Sequence, residues 1–170
     1  MLNGAHSLLA YAGLRAGHDF VHEAVADPHL YDLTRRLMIE EAMPTIDAAP
    51  GQRLDEYADE LMARFANPAV RHRLAQIAMD GTQKIPQRWL ETAAALQRDG
   101  MDFPAIRAGF DAWLWHIEDG RFLDDPLQDV LVTMMRSGGR EAVLGKLFGS
   151  QNDERPLWES YTQLSGAFAS

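Results

Sequence analysis

Met1-Leu2-Asn3-Gly4-Ala5-His6-Ser7-Leu8-Leu9-Ala10-Tyr11-Ala12-Gly13-Leu14 opens the chain. The run Leu8 to Leu14 is apolar on every side, while an amide, a glycine and an imidazole precede it, so the stretch reads as a buried helix entered from a polar end. The sequence predicts a helix with Asn3 as N-cap, running to about Ala16 and stopped by Gly17. Outward from it the same helical spacing recurs and no alternating strand pattern is found, which predicts an all-α protein.

The next segments follow that rule. A short helix is expected from Asp19 to Ala26. An amphipathic one should run from Pro28 through Leu30, Leu33, Leu37 and Met38 to about Met43, with Pro44 as its stop. Thr45 to Arg53 is a loop rich in proline and glycine. Helical spacing resumes from Leu54 to Phe65, and Asn67-Pro68 ends it. Helices are expected over 68–79, over 84–98 after the turn Asp80-Gly81-Thr82-Gln83, and from Pro104 along the stripe Ile106, Phe110, Trp113, Leu114, Ile117. A loop over 119–125 leads to a helix ending near Arg136. Ser137-Gly138-Gly139 breaks it, Arg140 to Phe148 continues, and a last helix is expected over 155–167.

With 170 residues, 46% of them hydrophobic, the chain suffices for one helical domain spanning 1–170. A net charge of −9 argues against nucleic acid or an anionic membrane surface as partner, because the whole-molecule field repels both. There is no cysteine, hence no disulfide framework, thiolate metal site or thiol nucleophile. No apolar run reaches the roughly 20 residues that span a bilayer, and no basic leader precedes the first helix. These features predict a soluble, cytoplasmic protein.

Two clusters carry possible chemistry. Asn3 and His6 read either as a helix cap with a first-turn histidine, or as a pair of neutral donors that polarise a substrate oxygen, the helix dipole keeping the imidazole uncharged. The segment Asn67 to Arg88 carries Arg71, Arg73, Lys84 and Arg88 against one acid, Asp80, in a protein that is otherwise acidic. It reads either as surface cations paired with acidic helices or as a pocket for a carboxylate or phosphate. His18, His22 and His29 share no metal-ligand spacing, so no metal site is expected. Glu40 and Glu41, adjacent on a helix, point in different directions and do not form a paired acid and base. The tryptophans 89, 113, 115 and 158 read as core or interface residues. Neither GxGxxG nor GxxxxGK[ST] occurs, so no cofactor-binding residue is assigned.

The runs Met1 to Ser7, Asn67-Pro68-Ala69-Val70-Arg71-His72-Arg73 and Gln76-Ile77-Ala78-Met79-Asp80-Gly81-Thr82-Gln83-Lys84-Ile85-Pro86-Gln87-Arg88 resemble the C-terminal domain of the polyol-specific long-chain dehydrogenase/reductases, the mannitol dehydrogenase family. Within it they are most similar to the fructuronate reductase (D-mannonate oxidoreductase) branch. The resemblance implies a multi-helical domain of the 6-phosphogluconate-dehydrogenase-like type, normally preceded by a Rossmann domain that holds NAD. It implies that Asn3 and His6 hold and polarise the reacting oxygen and that Lys84 binds substrate, with Arg71, Arg73 or Arg88 helping to bind a hexuronate carboxylate.

The family's catalytic lysine lies five residues before the asparagine, a position ahead of Met1. The chain alone is therefore expected to be inactive, a substrate-binding half whose partner is an N-terminal Rossmann domain. The alternatives are a mannitol 2-dehydrogenase or arabinitol dehydrogenase domain, or a non-catalytic helical module that uses its exposed interdomain face.

Overall fold

The computed structural model describes residues 1–49 and 51–148, and the helix expected over 155–167 lies outside them. The elements in order are α1 (Leu2–Ala16), α2 (Val21–Ala26), α3 (Pro28–Arg36), α4 (Leu54–Phe65), α5 (Leu74–Ile77), α6 (Gly81–Ile85), α7 (Glu91–Arg98), α8 (Pro104–Asp119) and α9 (Gln128–Phe148). A π-helical turn over Leu37–Ala42 and a 3₁₀ turn over Met43–Thr45 follow α3, and a second π-helical turn over Pro86–Leu90 joins α6 to α7. Among the described residues the only β pairing is an isolated antiparallel bridge between Phe20 and Arg73. No described helix is long and apolar enough to cross a membrane.

α1 is the axis of the molecule. Gly4, Ala5 and every residue from Ser7 to Leu14 are buried, as the all-round apolar run requires. α8 and α5 pack along it, and α8 carries the matching aromatic face. Tyr11, Trp89, Phe110 and Trp113 form a chain of edge-on ring contacts, with centroids 6.2, 5.5 and 6.0 Å apart in turn. All four are buried. At roughly 25 cal/mol per Å² and roughly 150–250 Å² per ring, each contributes roughly 4–6 kcal/mol of gross burial energy. Close approach to α1 is bought with small residues: a Cβ on Gly13 would lie 2.7 Å from Leu74 Cδ1.

Two helices take their N-terminal caps from side chains far away in sequence. The buried carboxylate of Glu41, on the first π turn, accepts the backbone N–H groups of Ala105 (2.6 Å) and Ile106 (2.8 Å) at the start of α8. α6 begins after Asp80, which adopts a left-handed φ of 57°, and has no side-chain cap of its own. Asp125 caps it instead, accepting from Thr82 N (2.8 Å) and Thr82 Oγ1 (2.7 Å) and also from Leu127 N (2.9 Å). First-turn N–H groups have no partner within their own helix, so a carboxylate brought in by the fold satisfies them.

Several expectations are corrected. Asn3 is not the N-cap: α1 starts at Leu2, Met1 occupies the cap position, and no side-chain cap bond forms. The helix expected over 68–79 is absent apart from α5, because the backbone of 72–74 is taken by the segment before α2. Val21 N donates to His72 O (3.0 Å) and Leu74 N to Asp19 O (2.9 Å). The same pairing delays α2 to Val21, where Glu23 accepts the N–H groups of Asp19 and Phe20, each at 3.0 Å. The helix expected from Lys84 starts earlier, at Gly81. Pro86 has no N–H to give to the ladder, and there the helix widens into its π turn. Pro44 lies within the final 3₁₀ turn rather than beyond it. The expected breaks at Gly17 (φ 89°) and at Gly138-Gly139, which kinks α9, are present.

Candidate active site

The N-terminal turn of α1 meets the α6 to π-turn segment because Gly4 lets them touch. Trp89 Nε1 donates to Gly4 O (3.2 Å), and a Cβ at Gly4 would approach Arg88 O to 3.3 Å. Arg88 reaches back across this contact and donates to the Oγ of buried Ser7 (2.6 Å). Lys84 lies one turn earlier on the same helix face, where its Nζ donates to Met79 O (2.5 Å) and lies 3.6 Å from Asp80 Oδ2. Asp80 N in turn donates to Asp124 O (2.9 Å), beside the Asp125 cap, so the turn that presents Lys84 is tied down at both ends.

These residues open onto a pocket of about 510 Å³ whose lining includes Asn3, Gln83, Lys84, Gln87, Arg88 and Thr45. The structure thus brings together Asn3, Lys84 and Arg88. It does not bring Arg71 and Arg73 to this pocket: both guanidinium groups stack on Phe20, 4.8 and 5.7 Å from its ring centroid, on the exposed face beside the Phe20 to Arg73 bridge. Gln83 and Gln87, part of the motif but given no role by the sequence, also line the pocket; Gln83/Gln87 and Lys84/Arg88 are two i, i+4 pairs that share one helical surface.

His6 lies one turn beyond Asn3 and borders a separate cavity of about 110 Å³, with Val21, Arg64, Phe65, Asn67, Val70 and His72. Its ring packs on Phe65 (centroids 4.4 Å apart) and faces the edge of His72 (6.3 Å). Nε2 is buried and has no hydrogen-bond partner among the described residues. Burial, then the neighbouring His72, Arg88 and Arg64, push its pKa down from 6.5 to about 4. The imidazole is neutral at neutral pH, one nitrogen a donor and the other an acceptor. Asn3 and His6 therefore offer uncharged hydrogen-bonding groups, while Lys84 and Arg88 supply positive charge. That division suits a ligand with a polar oxygen at one end and anionic or strongly polar groups at the other.

The family model for the mannitol dehydrogenase C-terminal domain matches residues 1–143. The chain belongs to this family. Relatives of the mannitol dehydrogenase C-terminal domain include D-mannonate oxidoreductase of Escherichia coli, 38% identical over 133 residues, covering 75% of this chain and 27% of that protein. Mannitol 2-dehydrogenase of Aspergillus fumigatus is 32% identical over 177 residues, covering 97% of this chain and 35% of that one. Among solved structures, Pseudomonas fluorescens mannitol 2-dehydrogenase in ternary complex with NAD and D-mannitol superposes on the whole chain and 37% of its own, with a TM-score of 0.75 and 24% identity. D-sorbitol dehydrogenase in substrate-free form gives a TM-score of 0.79, also at 24% identity. These two share the multi-helical fold. The chain spans 27% to 37% of the length of these relatives.

The family implies NAD. Nothing among the described residues forms a strand followed by a glycine-rich turn and a helix, and the sequence has no GxGxxG, so these residues do not fit a dinucleotide and no step is derived through one.

Proposed function

We propose that this chain is the substrate-binding half of an oxidoreductase that transfers a hydride between NAD(H) and a hexuronate/aldonate pair, D-fructuronate and D-mannonate. The observation that carries the reading is the convergence of Asn3, Lys84 and Arg88 on one pocket. Asn3 donates its amide to the reacting oxygen. The family resemblance assigns His6, held neutral, to the same oxygen, although in this chain its ring borders the neighbouring cavity. Lys84 and Arg88 bind the carboxylate, and Gln83 and Gln87 serve the hydroxyls between. Arg71 and Arg73, expected at the carboxylate, are left on the neighbouring Phe20 face by this reading. The proton transferred to or from the alcohol needs an acid/base that the family resemblance puts ahead of Met1. Residues 1–170 alone then bind substrate without turning it over, and the dinucleotide is held by a Rossmann domain packed against this face.

Paired cations are what favour a sugar acid. A neutral polyol accepts hydrogen bonds from two cations without offsetting their charge, whereas a carboxylate does both. The polyol reading is supported by the relatives named mannitol 2-dehydrogenase, and the two readings separate in one experiment. The chain is fused behind the cofactor domain of the E. coli D-mannonate oxidoreductase, and NADH oxidation is followed with D-fructuronate and with D-fructose. A strong preference for fructuronate that Lys84→Gln or Arg88→Gln lowers at least tenfold supports the sugar-acid reading. Equal or greater activity with fructose overturns it, and full activity in His6→Ala and Asn3→Ala overturns the oxygen-binding roles.

A further inference from the structure

Of the polar groups lining the small cavity beside His6, the proposed reaction uses only the imidazole and leaves Arg64, Asn67 and His72 without a role. Three elements supply its polar groups: α1 gives His6, the end of α4 gives Arg64, and the loop after α4 gives Asn67 and His72. No carboxylate lines it. The Arg64 guanidinium has neither an ion pair nor a hydrogen bond among the described residues, although the protein carries a net charge of −9. Asn67 already uses its Oδ1 to accept Ala69 N–H (3.0 Å), so what it has left to offer is the amide NH₂. His6 Nε2 is a buried polar atom lacking a partner. Orphaned polar atoms of this kind are rare in folded proteins and each calls for a reason.

Size narrows the ligand. The cavity holds about 110 Å³, the liquid volume of roughly four waters at roughly 30 Å³ each. That is room for a carboxylate or a phosphate group. Buried Val21 and Phe65 form its apolar floor, while Arg64, Asn67, Val70 and His72 are exposed around its mouth, open to an anion from solvent.

We propose that this cavity is a second anion site, separate from the Asn3–Lys84–Arg88 pocket, which takes a carboxylate- or phosphate-sized anion on Arg64, Asn67 and His72 with His6 at its wall. Such an anion is linked to the charge of His6. The groups facing that ring are Arg64 from α4, His72 from the loop and Arg88 from the π turn, all cationic or able to become so. An anion among them offsets their repulsion, and the imidazole then accepts its proton at higher pH. Anion binding and protonation of His6 therefore favour each other.

The test follows the histidine C2–H resonances of the chain by NMR while sodium acetate, or in a second arm inorganic phosphate, replaces chloride at constant ionic strength; His6→Asn and His72→Asn assign the signals. Saturable shifts of His6 and His72 are expected, with the His6 titration midpoint moving to higher pH in the presence of the anion. Arg64 is exposed, so Arg64→Gln leaves the fold intact and should weaken binding at least tenfold, while Lys84→Gln leaves it unchanged. The arm with the tighter binding identifies the anion as carboxylate or phosphate. A shift that follows ionic strength without saturating, an undiminished affinity in Arg64→Gln, or loss of binding in Lys84→Gln overturns the proposal. Because the readout is binding rather than turnover, each result stands apart from the substrate assignment above.

Discussion

His6 gives the stability of this chain a pH dependence that can be worked out in advance. Its pKa is 6.5 in the unfolded chain and about 4 in the fold, lowered first by burial and then by His72, Arg88 and Arg64. Between those values the unfolded state binds more protons than the folded one, so stability is full above about 6.5 and falls as pH drops toward about 4. Integrated from about pH 7.5 to about pH 5, these two midpoints give a loss of about 2 kcal/mol. Part of the ring reaches solvent, which trims the figure toward about 1 kcal/mol. The assay is urea unfolding of the wild type and of His6→Asn at both pH values. Asn cannot titrate, so the variant's pH difference should be smaller than the wild type's by about 1–2 kcal/mol, whatever the substitution costs at either pH alone. His116, which burial also pushes down, is present in both proteins and cancels. Equal pH differences would refute the placement of His6 as a buried neutral imidazole.

Three further outcomes follow from the packing. Asp125→Ala removes the acceptor of three hydrogen bonds and should cost about 2–4 kcal/mol in urea unfolding, with ligand affinity at the Lys84 pocket falling alongside. Gly81→Ala sets a Cβ 2.5 Å from Trp113 Nε1 and 2.8 Å from Tyr11 Oη, and a loss of about 2–3 kcal/mol is expected on thermal unfolding. Glu41 behaves oppositely to His6: burial, against the pull of the Ala105 and Ile106 N–H groups, raises its pKa above 4.5. The folded state then holds that proton longer, and the contribution of Glu41 to stability declines as pH rises above 4.5. Glu41→Gln should flatten this decline in a stability profile taken between about pH 4.5 and about pH 7.

Local pattern carried much of the fold. α4 has the bounds that its apolar spacing and the Asn67-Pro68 stop imply, and Pro104 opens α8 as a proline at the first helical position does. What local pattern missed has one physical cause, which is hydrogen bonding between residues distant in sequence. The stretch 68–73 has helical composition, yet the strand-like pairing of Phe20 with Arg73 claims its backbone. Glu41 looked like half of an unproductive carboxylate pair, and only the fold shows it capping α8. The motif pointed to Asn3, His6 and Lys84, of which Asn3 and Lys84 line one pocket. The sequence could not reveal that Asn3 and His6 border different cavities, or that Arg71 and Arg73 spend their charge on Phe20, because both depend on how α1 seats between α4 and the π turn after α6.

The borrowed caps also impose an order of events on a growing chain. Thr82 waits for Asp125, 43 residues later, and Glu41 waits for Ala105, 64 residues later. A nascent chain ending before Asp125 carries every side chain of the Lys84 pocket, yet its α6 lacks a partner for its leading N–H groups. The pocket wall therefore matures late in synthesis and closes together with the docking of the segment after α8, so a chain halted before Asp125 would display the residues of the site without its shape.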